Sequence, residues 1–385
     1  MAGRLVPVGA QHKVSTLELF FDLVFVYGIS QVTAYLAKHP DPLGFLQGGL
    51  LLALLWWSWV AYSWLGNNTV VGVGVVRWAM FGAMAAILVT ALALPQWFAA
   101  GPGSTWSLVA AAAYLLVRVL HLVLFWAGSD GDPQLQRAVA MLGVSVLVAA
   151  GLLLGGAAIG GPVQLVLVVI AVAIDYSGPL WGRGQGWQLS PAHFAERHGL
   201  IVIIALGESL VALGVGAADL PLSAGMISTA AVGVALVSVL WVGYFDRTAH
   251  ELEHQLCSAE GVPLVRMARD VYSYLHLVLV AGVVLVALSL KKAIAAVAEA
   301  GWGAVAPSSA AFALGAGLAL FALGLLGVRR RAGLSSPGPL VLTPVVAAGV
   351  GAAAAVLPVL AALVLAAAAA GAAAWFSSPR SPVPA

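Results

Sequence analysis

Residues 15–32 read STLELFFDLVFVYGISQV, and this run decides the class of fold. A membrane-spanning helix needs about 20 mainly apolar residues, and here they come with two carboxylates, Glu18 and Asp22, set among aromatic and aliphatic side chains. The same texture recurs along all 385 residues, which are 62% hydrophobic and 8% charged. A soluble core of this size would show polar faces at helical spacing, and most of these segments show none. The sequence therefore predicts an all-α, polytopic integral membrane bundle. With charge so scarce, its placement in the most apolar stretches carries information. Glu18 and Asp22 are joined by Arg118 and His121 in YLLVRVLHLVLF and by Glu208 in GLIVIIALGESLVALG. An ionised group at mid-bilayer costs about 2.5–3.5 kcal/mol on insertion scales, so such groups persist where they face a partner or a water-filled cavity.

Twelve spans follow from the apolar runs, at about 16–37, 43–65, 76–98, 104–127, 136–157, 161–177, 199–217, 224–246, 270–291, 308–328, 338–355 and 358–377. Turn-forming residues separate them: HPDP, GNN, GPG, GSDGDP and SSPGP. Lysine and arginine test the count independently. With the amino terminus inside, the outer segments carry only Lys38, Lys291 and Lys292, Arg118 is intramembrane, and the other thirteen basic side chains fall on inner segments. That asymmetry is what the positive-inside rule requires, and it predicts a multi-pass protein of the cell membrane with both termini cytoplasmic. Met1–Lys13 lacks a small-residue cleavage site after an apolar run, so no cleaved signal peptide is expected.

The chain reads as one membrane domain over 1–377 with a short cytoplasmic tail at 378–385. Trp59-Val60-Ala61-Tyr62 near the end of span 2 resembles Trp241-Val242-Gly243-Tyr244 near the end of span 8, and Glu18 has a counterpart in Glu196. Both offsets are near 180 residues. Six helices separate the equivalents, which predicts a parallel 6+6 duplication with halves at 14–177 and 193–377.

A rise of about 1.5 Å per residue puts Asp22 roughly 9 Å into its span and Arg118 and Glu208 roughly 14 Å into theirs. His121 and His276 lie at depths close to that of Asp22. Glu18 and Asp22 are four apart, Arg118 and His121 three apart, so each pair shares one helix face. The expectation is a substrate or proton pathway formed by Glu18, Asp22, Arg118, His121, Glu208 and His276. Carboxylates beside histidines suit proton transfer, because histidine titrates near neutral pH. The plainer reading makes these internal ion pairs, Arg118 with Asp22 or Glu208, with Glu18 capping the first helix. A second polar group, Asp175, His193, Glu196, Arg197 and Asp246, is expected at the cytoplasmic face, where interfacial anchoring would also account for it.

Other patterns carry less. His250-Glu251-Leu252-Glu253-His254 fits the zinc motif H-E-x-x-H, but no clear third ligand follows, and it reads equally as a solvated amphipathic helix. The glycine-rich linker GPLWGRGQGWQ lacks the lysine–serine ending of a phosphate loop. No metal and no cofactor are expected. The single cysteine, Cys257, excludes an internal disulfide framework. The net charge of +2 is scattered and implies no nucleic-acid partner.

Leu17-Glu18-Leu19-Phe20-Phe21-Asp22-Leu23-Val24-Phe25-Val26 resembles the opening signature of the bacterial low temperature requirement A proteins. The stretch from His193-Phe194-Ala195-Glu196-Arg197-His198-Gly199-Leu200 to Ile204-Ala205-Leu206-Gly207-Glu208-Ser209 is similar to that family's second signature, and Tyr272-Ser273-Tyr274-Leu275-His276 also matches. His198 departs from the pattern, standing where an aromatic residue is expected. The resemblance implies a many-helix membrane protein and supplies no substrate, since the family's name records a growth phenotype. From the residues themselves, the leading expectation is a secondary transporter, proton-coupled, for a small molecule. The alternatives are a membrane-embedded enzyme acting on a lipid or isoprenoid through Asp22, His121, His276 or Glu208, and a non-catalytic membrane factor supporting growth in the cold. The lipid bilayer and a small-molecule substrate are the expected partners.

Overall fold

The computed structural model describes residues 14–69, 74–98, 103–129, 131–181, 186–218 and 220–376. The reading of Met1–Lys13, Arg183 in the glycine-rich linker and the 378–385 tail lie outside the described residues. Among those described, the chain is helical throughout, in the order α1 (Thr16–Lys38), α2 (Pro42–Asn68), α3 (Gly74–Ala93), α4 (Thr105–Gly128), α5 (Pro133–Ile159), α6 (Gly161–Trp181), α7 (Pro191–Ala217) and α8 (Ala224–Tyr244). Then come α9 (His250–Cys257), α10 (Gly261–Met267), α11 (His276–Ala300), α12 (Ser308–Arg331), α13 (Gly338–Ala354) and α14 (Val359–Phe376).

The local causes are visible at the ends. Ser15 and Glu18 form a capping box at the start of α1, with the Ser15 hydroxyl accepting from Glu18 N and the Glu18 carboxylate accepting from Ser15 N at 2.9 Å. Asp41 and Asp132 cap α2 and α5, each followed by proline at the first helical position. Gly160, at φ +73°, ends α5 in a conformation that costs glycine little.

Ten helices among the described residues are long and apolar enough to cross a membrane. α13 and α14, at 17 and 18 residues, are about 26–27 Å long, just short of the hydrocarbon thickness of about 30 Å. Pro337 caps α13 and Pro358 immediately precedes α14, which keeps both brief.

Two helices run further than their apolar cores suggest. Phe245–Ala249 and Ala268–Leu275 are π-helical, so the chain stays helical over Ala224–Cys257 and over Gly261–Gly303. The His250–His254 pattern sits on one of these extensions, where Glu251 pairs with Arg329 Nη2 at 2.9 Å.

The chain divides into two compact units, one comprising Met1–His198 with Leu256–Arg269, the other Gly199–Gln255 with Asp270–Ala385. In the first, α1 packs on α2 and α3, α3 on α4, α4 on α5, and α5 on α6. Its helices are inverted relative to a soluble protein. On α1, Phe20 and Leu23 are 52% and 58% exposed while Glu18 and Asp22 are fully buried. An apolar outer face around a charged interior is the arrangement a lipid solvent favours.

In the second unit, α11 and α12 pack closely through glycine. A Cβ on Gly282 would fall 2.7 Å from Gly317 O, and one on Gly315 would fall 2.8 Å from Gly351 Cα on α13. Small residues let backbones approach where helices cannot associate by hydrophobicity alone.

Candidate functional site

The polar residues of the first unit form two buried constellations on either side of α2. The first centres on Arg197 of α7. Its Nη2 lies 2.6 Å from Asp22 Oδ1 and its Nη1 3.1 Å from Glu18 Oε1, and all three side chains are fully buried. His193, one turn earlier on α7, brings Nε2 to 3.2 Å from the Glu18 carboxylate. From α2, Trp59 Nε1 donates to Asp22 Oδ1 at 2.8 Å, and the Arg197 guanidinium stands 5.6 Å from the Trp59 ring centre. Both donors reach the same oxygen, and Asp22 Oδ2 has no hydrogen-bond partner among the described residues. A Cβ on Gly66 of α2 would collide with Glu18 Oε1, so the carboxylate depends on that gap.

The second constellation centres on Arg118 of α4. Its Nη2 lies 2.7 Å from Asp175 Oδ1 of α6, and its Nη1 donates to Trp57 O at 3.3 Å. Tyr114, one turn earlier on α4, donates to Asp175 Oδ2 at 3.2 Å. The short, charge-assisted contacts are the strong kind. Buried pairs of this sort must still offset a desolvation cost of several kcal/mol per ion.

α2 connects the two. Trp57 O serves Arg118, Trp59 serves Asp22, and Tyr62 donates to Val117 O at 3.0 Å while its ring packs 5.6 Å from His121. His121 is buried against Tyr62 and Phe125, near the Ala61 backbone but without a well-formed hydrogen bond at either nitrogen.

The expected pathway residues are thus brought together only in part. Glu18 and Asp22 share Arg197, and Arg118 pairs with Asp175 rather than with Asp22 or Glu208. Asp175, His193 and Arg197, read from sequence as a group at the face, are the buried partners of the intramembrane charges. Glu196 is exposed and accepts from Val14 N at 3.3 Å. His198, out of pattern in sequence, behaves as an aromatic: its ring meets Trp59 edge-on at 4.8 Å and its Nδ1 lies 2.8 Å from Phe194 O.

The other candidates belong to the second unit. Glu208 is buried there and Asp246 is exposed. His276 follows the π-helical turns, and its Nδ1 lies 2.9 Å from Val271 O. A carbonyl can only accept, so Nδ1 carries the proton and Nε2 accepts from the Tyr244 hydroxyl at 2.8 Å. Trp59 and Trp241, equivalent in the four-residue repeat, have unlike surroundings, 1% against 41% exposed.

Sequence reasoning missed Trp57, Trp59 and Tyr114 as polar participants. The clustered tryptophans of WWSWVAYSW were the available signal, since a buried indole N–H seeks an acceptor.

The uncharacterized protein RA0937 of Rhizobium meliloti (strain 1021) is 30% identical over 214 residues, covering 53% of this chain and 51% of that protein. The chain therefore spans about half the length of the curated relative it matches. No solved structure matches it. Residues 13–375 match the family described as Bacterial low temperature requirement A protein (LtrA), and the chain, with its buried charges on apolar helices, belongs to that family.

Proposed function

We propose that this protein is a proton-coupled secondary transporter of the cell membrane that moves a small solute. In this reading all twelve apolar helices span, both termini are cytoplasmic, and the halves derive from a parallel duplication whose members have since diverged. One observation carries it. The two constellations hold three carboxylates, Glu18, Asp22 and Asp175, against two guanidiniums, Arg118 and Arg197. A net negative charge in a low-dielectric interior is costly. In this reading a proton on the unpartnered Asp22 Oδ2 offsets that charge and is exchanged with a passing solute.

The test is reconstitution into liposomes enclosing a pH-sensitive dye, with the membrane potential clamped. Pools of amino acids, sugars, nucleosides, organic anions and amines are then added outside. The proposal expects at least one pool to drive proton movement above that of empty liposomes. Silence with every pool would overturn it.

A further inference from the structure

In the second unit, α8, α12, α13 and α14 line a half-open groove. On α12 the lining runs from Leu318 to Arg329, eleven residues apart, or about 16 Å along the axis. Most of the lining is aliphatic, with Phe321 among it, and α14 contributes only alanines, Ala369, Ala370, Ala373 and Ala374, whose small side chains leave the space unfilled.

The polar side chains of the lining are Arg247, Thr248, Arg329 and Thr343, the last of which donates to Pro339 O. The two arginines differ. Arg329 is committed, donating to Ser335 O and Arg247 O and pairing with Glu251. Arg247 forms no ion pair among the described residues, and its Nε is buried without a hydrogen-bond partner. The π-helical turn that carries it is held by Thr248 Oγ1 donating to Gly243 O. A slot lined by alkyl groups with one uncompensated cation at its mouth fits an amphiphile whose head is anionic. Between helices in a membrane, the alkyl lining gives no preference over lipid, so the cation sets the selectivity.

We propose that this groove holds an anionic phospholipid of the surrounding bilayer, an acyl chain lying along the α12–α14 alanine and leucine wall and the phosphate resting on Arg247. The site is independent of the charged constellations of the first unit, and it stands whether or not those move protons.

The experiment uses the purified full chain in a neutral detergent, with thermal unfolding and native mass spectrometry read after adding phosphatidylglycerol, phosphatidylcholine or inorganic phosphate. Phosphatidylglycerol is expected to raise the unfolding temperature by several degrees and to remain bound in the mass spectrum, while phosphatidylcholine and phosphate do neither. Arg247→Gln and the groove-filling Ala373→Leu are each expected to lose that increment, and Arg247→Lys to keep most of it. Should Ala373→Leu not fold, the two Arg247 variants decide the matter alone. Equal stabilisation by both lipids, an undiminished increment in Arg247→Gln, protection by phosphate alone, or a dimer that Ala373→Leu dissociates would each overturn the assignment.

Discussion

Arg197 Nη2 and Asp22 Oδ1 lie 2.6 Å apart with both side chains fully buried, joining α7 to α1 across an apolar interior. The same guanidinium holds Glu18, so one cation compensates two carboxylates from adjacent turns of a single helix. The two long sequence signatures of the family meet at this contact. A spacing of four on α1 and a single arginine on α7 are enough to specify it.

Removing that arginine should be severe. Arg197→Gln leaves two buried carboxylates facing each other, and breaking a buried pair from one side costs about 3–5 kcal/mol. Denaturant unfolding in detergent should report a loss of that order. Combining it with Asp22→Asn should recover part of it, because the sites are in direct contact and their effects do not add.

Gly66→Ala tests the gap that admits Glu18. The added methyl displaces the carboxylate from Arg197 and from its capping role on α1. Overpacking of this kind costs about 1–3 kcal/mol. A melting temperature unchanged from wild type would show that Glu18 has room to spare.

Tyr244→Phe removes the hydroxyl that His276 Nε2 accepts from. A net loss of about 1 kcal/mol is expected. Hydrogen exchange should also speed up in the π-helical stretch before His276, since Val271 O and Tyr244 hold the imidazole between them.

Gly282→Leu should be far more damaging than a surface substitution. Its Cβ would meet backbone atoms of α12 at 2.6–2.7 Å, and backbone cannot rotate away as a side chain can. Loss of folded protein in membranes, by fluorescence-detected size exclusion, is the expected outcome.

The apolar helices were legible because lipid imposes a length and a composition, and proline and glycine punctuate the breaks, though among the described residues ten of the twelve expected runs form helices long and apolar enough to cross. Helix extent beyond the apolar core was not, since the helix expected to end near 246 runs on through the π turn Phe245–Ala249 to Cys257, and the one expected to begin near 270 is already helical from Gly261. At the site, counting residues gave depth along each helix but not which helices are neighbours. Arg118 could be placed near mid-bilayer, yet its partner depended on α6 presenting Asp175 to it. Asp175, His193 and Arg197 sit at the ends of apolar runs, where sequence alone reads an interfacial anchor. The fold buries them completely or nearly so. The charge imbalance becomes visible only once these partners are joined.

The most direct measurement compares wild type with Asp22→Asn in liposomes at equal protein incorporation, using whichever solute pool drives proton movement in the wild type. Asparagine keeps the shape of the side chain and an acceptor for Trp59 and Arg197, so the variant should remain folded and abundant. Proton movement lost in Asp22→Asn, with folding intact, is the result this account predicts. Wild-type proton movement in the variant would contradict it.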